Sequence, residues 1–293
     1  MNKFFLDQHG CAKNQVDGEI LITRLLEKGF SMTENLDEAD VILINTCGFI
    51  GDAKEESIEM ILSMAQAKKR RKIGKLIVMG CLSERYREEL KAEIPEVDAF
   101  YGKFDWVNLA NDLFQDTLST ENQRVITTPS HYAYIKIAEG CNRACSYCAI
   151  PLITGKYKSR SIEDIEQEVK ALVATGVVEF QLIAQDLTYY GKDLYQKFAL
   201  ADLLTRLSDI PGVKWLRLHY AYPTQFPYDI LPVIRERENI CKYLDIALQH
   251  SSDAMLKKMH RGITCAETEA LLERIREEVP GICLRTTLMV GHP

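Results

Sequence analysis

The sequence predicts an α/β protein built from two successive series of parallel strand-helix units, and three observations predict it. Short β-rich runs alternate with helical periodicity from residue 3 onward, a pattern that lays helices over a mostly parallel sheet. The alternation breaks once, over Gln115–Pro129, where Thr, Ser, Asn and Gln accumulate without period and read as a linker. At 293 residues and 46% hydrophobic content, the chain exceeds what one small core needs. We therefore expect a first domain over 1–115, a linker over 116–132 and a second domain over 133–293.

The first series begins with a strand at Lys3 to Asp7 and a helix over Gly18 to Lys28. It continues with a strand at Val41 to Asn45, a helix at Ala53 to Lys69, a strand at Lys75 to Met79 and a helix at Glu84 to Ala92. A short run at Ala99 to Tyr101 and a helix from Trp106 to Phe114 close it. The second series places strands at Tyr134 to Ile137, Glu179 to Ile183, Trp215 to His219, Tyr243 to Ala247 and Cys283 to Met289. Its first long helix opens with Ser161 and, three residues later, Asp164, a capping-box spacing. Repeated βα units of this length predict a barrel or part of one. Five units do not close a ring, and the chain stops at Gly291-His292-Pro293 directly after an apolar strand, so the reading is of a truncated barrel.

The charge balance, 36 basic against 42 acidic side chains for a net of -6, argues against a surface that tracks nucleic-acid phosphates throughout. The one basic run, Lys68-Lys69-Arg70-Arg71-Lys72, reads as a solvated helix end. No stretch approaches the length of a membrane span and the N-terminus lacks signal-peptide character, which predicts a cytoplasmic protein without membrane association. Nine cysteines in that compartment point to metal binding or catalysis rather than to disulfides.

The strongest chemical signal is Cys141-Asn-Arg-Ala-Cys145-Ser-Tyr-Cys148. Three thiolates on one loop suit an iron-sulfur cubane, and with only three protein ligands one iron stays open to a substrate or cofactor. The competing readings are a zinc loop completed by a distant residue, or three unrelated thiols. Cys11, Cys47 and Cys81 each lie a few residues beyond a predicted strand, where carboxyl ends of parallel strands share one edge. Each has a glycine neighbour that permits close backbone approach, and taken alone this trio is balanced against buried structural cysteines. Cys241, Cys265 and Cys283 read as ordinary packing residues. Tyr147, Gln185, Asp186 and Gln249, at predicted strand ends or beside the cysteine loop, are the candidate cofactor contacts, with satisfied loop polar groups as the alternative. His250 is balanced in the same way, and Arg160 either binds a carboxylate or opens a solvated helix.

These residues resemble the radical S-adenosylmethionine methylthiotransferases over the whole length of the chain. Gly10-Cys11-Ala12-Lys13-Asn14-Gln15-Val16-Asp17, Asn45-Thr46-Cys47-Gly48-Phe49-Ile50, Gly140-Cys141-Asn142-Arg143 and Ala184-Gln185-Asp186-Leu187-Thr188 look like the RimO-type branch. That branch modifies an aspartate of small-subunit ribosomal protein twelve; the other branch modifies isopentenyladenosine in transfer RNA. The resemblance implies two 4Fe-4S clusters, one on Cys141, Cys145 and Cys148 that splits S-adenosylmethionine, and an auxiliary one on Cys11, Cys47 and Cys81 that takes part in sulfur transfer. It further implies a 5'-deoxyadenosyl radical that takes hydrogen from the aspartate β-carbon, and no catalytic side chain beyond the clusters. A methyl group from a second S-adenosylmethionine and an electron donor such as flavodoxin or ferredoxin complete the set.

Ala247 stands where the family usually has proline, and His292 where it usually has an aromatic residue. The family's last barrel strand and its C-terminal TRAM domain, which holds substrate, are not in this sequence. The alternatives are therefore the transfer RNA branch or an inactive cluster-binding fragment.

Overall fold

The computed structural model describes residues 3–70, 74–113 and 124–293. The chain divides into two compact units, Met1–Thr127 with Leu152–Thr154, and Thr128–Pro151 with Gly155–Pro293.

The first unit runs β1 (Lys3–Gln8), α1 (Ala12–Glu27), β2 (Ser31–Met32), β3 (Val41–Thr46), α2 (Gly51–Arg70), β4 (Lys75–Gly80), α3 (Cys81–Glu93), β5 (Ala99–Phe100) and α4 (Trp106–Leu113). Its sheet is parallel throughout, in the order β2-β1-β3-β4-β5. Alternation within β3 explains the layering. Val41 and Leu43 pack with Leu21, Leu25 and Leu109, whereas Ile42 and Ile44 pack with Ile61 and Leu82 on the opposite face. Both faces are covered, so the strand reads as a continuous apolar run. Each fully buried Leu or Ile contributes about 1.5–3 kcal/mol.

The second unit runs β6 (Tyr132–Lys136), β7 (Ala138–Glu139), α5 (Ile150–Thr154, of which Leu152–Thr154 group with the first unit), β8 (Lys158–Ser159), α6 (Ile162–Ala174), β9 (Glu179–Ile183), α7 (Leu200–Ser208), β10 (Trp215–Ala221), α8 (Ile230–Glu236), β11 (Ile240–Ile246), α9 (Asp253–Lys258), α10 (Cys265–Glu278) and β12 (Cys283–Arg285). Five of its strands form a parallel sheet in the order β12-β11-β10-β9-β6, and β7 pairs antiparallel with β8. The α/β class and the partial βα series expected from the sequence are both present. One sheet face carries Phe180, Leu182, Leu216, Leu218 and Leu244, all buried. The other carries polar pairs, Arg217 with Glu179 at 3.1 Å and Arg285 with Asp245 at 2.6 Å. Ser161 caps α6 by accepting from the Asp164 N–H at 3.2 Å, and Thr264 with Glu267 forms a full capping box on α10.

Several expectations are corrected. Helix α1 starts at Ala12, six positions before Gly18, because Asn14 and Asp17 are polar yet buried and break the amphipathic pattern. Strand β12 ends at Arg285 and not at Met289, and Cys283 is exposed, so it is not a packing residue; Cys241 and Cys265 are half-buried. Of the two readings of Arg160, the structure has it on carboxylates, those of Asp164 and Glu168, and on the Lys136 carbonyl. Of the expected linker, 116–123 lie outside the described residues, as do Arg71 and Lys72 of the basic run. Residues 124–127 are anchored on α1: Arg124 pairs with Glu19 at 3.1 Å, and the N–H groups of Val125 and Thr127 donate to Thr23 and Glu19. No helix among the described residues is long and apolar enough to cross a membrane.

Candidate functional site

Each unit brings three cysteines to the carboxyl ends of its parallel strands, the edge where α/β sheets bind ligands. In the first unit, Cys11 is the N-cap of α1, Cys47 directly follows β3 and Cys81 is the first residue of α3. The three parent strands are adjacent in the sheet. Two glycines make the approach possible. A Cβ on Gly10 would lie 3.1 Å from the Cys47 Cβ, and one on Gly48 would lie 2.7 Å from the Cys81 carbonyl carbon. Only hydrogen fits at Gly48.

The surroundings of this trio are polar and fixed. The Cys47 N–H donates to Ser57 Oγ at 3.0 Å, and Asn14 Nδ2 donates to the carbonyls of His9 and Thr46. Lys103 and Asp17 form a fully buried ion pair at 2.7 Å. Burial pushes the Cys81 thiol up to about 12 against the opposing charge of Lys103, and raises the Cys47 thiol as well. Metal binding here would therefore release protons. Among the described residues, no three His, Cys, Asp or Glu side chains converge on a point suited to a single ion. A four-iron cluster takes each thiolate on a different iron and has no such requirement, so spread thiols on a glycine-lined edge fit it.

In the second unit, the loop with Cys141, Cys145 and Cys148 follows β7 and is held from several sides. The Cys141 N–H donates to the Gly155 carbonyl at 3.1 Å, and the Ser146 N–H to the Met259 carbonyl at 3.2 Å. Asn142 Oδ1 accepts from the Tyr157 N–H at 3.0 Å. Arg143 Nε donates to Asp186 Oδ2 at 2.9 Å, with its guanidinium 4.3 Å from the Tyr222 ring centre. Arg261 donates to Cys145 Sγ at 3.4 Å and to the Tyr147 hydroxyl at 3.1 Å. Burial pushes the Cys141 thiol up to about 11 and raises that of Cys148.

The four candidate contact residues divide. Tyr147 sits in the loop with its ring edge-on to His292 and its hydroxyl taken by Arg261. Gln185 donates to Glu139 at 3.3 Å and leaves its Oε1 buried without a partner; Gln249 Oε1 is in the same condition. Such orphaned acceptors fit a site that holds a ligand. Asp186 differs: its carboxylate accepts from Arg143, the Thr188 N–H and the Thr188 hydroxyl, so it fixes the loop and is not free for a ligand. His250 accepts from the Ser252 N–H at 2.9 Å. The residues that sequence reasoning missed are Tyr222 and Arg261, which come from strand ends and loops far along the chain. Only the structure shows that they reach Cys145.

A parallel α/β fold with a Cys-x3-Cys-x2-Cys loop at the strand carboxyl ends defines the radical S-adenosylmethionine class of enzymes. The model of the radical SAM superfamily matches residues 135–293, and that of the uncharacterized protein family UPF0004 matches residues 3–102. The chain is 59% identical over its full length to a ribosomal protein uS12 methylthiotransferase RimO of Parabacteroides distasonis, of which it covers 68%. It is 62% identical over 97% of its length to the RimO of Porphyromonas gingivalis, covering 66%. The chain thus spans about two thirds of the length of these curated relatives, and it belongs to the RimO family. The solved structures of the methyltransferase TsrM from Kitasatospora setae (TM-score 0.67, 15% identity, 100% of this chain and 68% of that one) and of OxsB (0.67, 11%, 99% and 49%) share its fold. The radical SAM class works with a 4Fe-4S cluster and S-adenosylmethionine.

Proposed function

We propose that this chain is the catalytic portion of a methylthiotransferase that modifies an aspartate side chain of ribosomal protein uS12. The observation that carries this reading is the 58–62% identity to several RimO proteins. In this reading Cys141, Cys145 and Cys148 hold the cluster that binds S-adenosylmethionine, and Cys11, Cys47 and Cys81 hold a second cluster. When bound, these groups supply a 5'-deoxyadenosyl radical and the sulfur to be transferred.

The protein's own residues bind, orient and exclude water. Arg143, clamped by Asp186, fixes the first half of the cysteine loop, and Arg261 and Tyr222 fix the middle. The unpaired Oε1 atoms of Gln185 and Gln249 are acceptors for amino or hydroxyl groups of the cofactor, and Tyr147 offers an aromatic edge beside the cysteines. The electron comes from a flavodoxin or ferredoxin, and the setting is the cytoplasm.

The test is anaerobic reconstitution with iron and sulfide quantification, followed by dithionite, S-adenosylmethionine and uS12. About eight irons, 5'-deoxyadenosine and a methylthio mass gain on uS12 are expected. One zinc without sulfide overturns the reading, and methylthiolated adenosine in transfer RNA moves it to the other branch.

A further inference from the structure

Arg261 is 3% exposed and has no carboxylate within ion-pair distance among the described residues. Three other buried cations have carboxylate partners: Lys103 with Asp17, Arg124 with Glu19 and Arg24 with Glu27. A buried charge without a counter-ion is costly, so its retention points to an anion that the protein's acidic residues do not supply.

The contacts of the guanidinium show where that anion sits. Nη1 donates to Cys145 Sγ at 3.4 Å and to the Tyr147 hydroxyl, Nη2 donates to the Ala247 carbonyl, and Nε has no partner. Its Cζ lies 4.0 Å from the centre of the Tyr222 ring, whose hydroxyl is itself 3.4 Å from Cys145 Sγ. The backbone is pinned as well: the Arg261 N–H donates to the Leu256 carbonyl, and its carbonyl accepts from Thr224 Oγ1 at 2.8 Å. Two side chains thus reach the sulfur of Cys145, while the sulfur of Cys141 accepts from a backbone N–H.

We propose that Arg261 is a positioning residue whose charge is the counter-ion of the cysteine loop, with its hydrogen bond to Cys145 Sγ raising the reduction potential of the cluster bound there. The inference rests on the assignment of Cys141, Cys145 and Cys148 as cluster ligands. Reduction adds negative charge to the cluster, and a cation with a hydrogen bond to a ligating sulfur stabilises the reduced form more than the oxidised one.

The test is a redox titration followed by electron paramagnetic resonance, without S-adenosylmethionine. It uses the full chain with Cys11, Cys47 and Cys81 changed to Ala, so that one cluster remains. Arg261→Met should lower the reduced-to-oxidised ratio at fixed potential about tenfold, a midpoint about 59 mV lower for a one-electron couple. Arg261→Lys, which keeps the charge, should recover most of the shift. Should Arg261→Met take up no iron, Arg261→Gln is read in its place. A neutral variant with full iron content and an unshifted midpoint overturns the proposal. So does an unshifted midpoint accompanied by weakened S-adenosylmethionine binding, which makes the cofactor the anion. If the background protein itself takes up no cluster, the assignment of the loop fails, and the inference with it.

Discussion

The two cysteine trios solve one problem in opposite ways. Cys141, Cys145 and Cys148 are close in sequence, and their loop is immobilised from outside by Asp186, Tyr157, Tyr222 and Arg261. Cys11, Cys47 and Cys81 are far apart in sequence and need little outside help, because three neighbouring strands deliver them to one edge. A local motif depends on the residues that brace it; a dispersed one depends on the integrity of the sheet.

The largest expected effect separates the trios outright. Cys145→Ala should remove about four of about eight irons and abolish 5'-deoxyadenosine formation, whereas Cys47→Ala should remove a similar share and leave that cleavage intact. Equal loss of cleavage in both variants would break the division of labour. Gly48→Ala, which forces a methyl group against the Cys81 backbone, should strip iron from the first trio alone, read as iron content with cleavage retained. Lys103→Met breaks the buried ion pair with Asp17 and should destabilise the protein by about 3–5 kcal/mol in urea unfolding. The double variant Lys103→Met/Asp17→Leu should recover most of that loss. The smallest effect is Thr264→Ala, which removes the cap of α10 and should cost about 1 kcal/mol with iron content unchanged.

The strand-helix alternation was legible because short apolar runs such as Val41 to Asn45 and Glu179 to Ile183 stand out between helical stretches, and the observed strands fall on them. The cap at Ser161 was legible for the same local reason. The start of α1 was hidden because the residues serving the cysteine edge, Asn14 and Asp17, are polar and buried together. The end of β12 was hidden because Leu288, Met289 and Val290 restore apolar character beyond Arg285-Thr286-Thr287, although strand pairing stops at Arg285 apart from a single bridge between Gln249 and Leu288. The spacing of the central cysteines announced a cluster loop, but nothing local announced Arg261, since its reach to Cys145 exists only after α9 has turned the chain back. Asp186 carried the opposite ambiguity: its position at a strand end suggested a ligand contact, and its three internal hydrogen bonds assign it to the scaffold.

The placement of Cys11 at the N-cap of α1 and of Cys81 at the first position of α3 has an electrostatic consequence. The aligned peptide dipoles of a helix leave about half a positive charge at its N-terminus, concentrated in the first turn. The 16-residue α1 starts directly after Cys11, and Cys81 opens the first turn of α3, which is interrupted by a kink at Tyr86, so the stronger of the two fields is that of α1. A thiolate-ligated group held there would be supported by a field that belongs to the backbone. That field cannot be deleted by exchanging a side chain, and salt screens it less where it is buried.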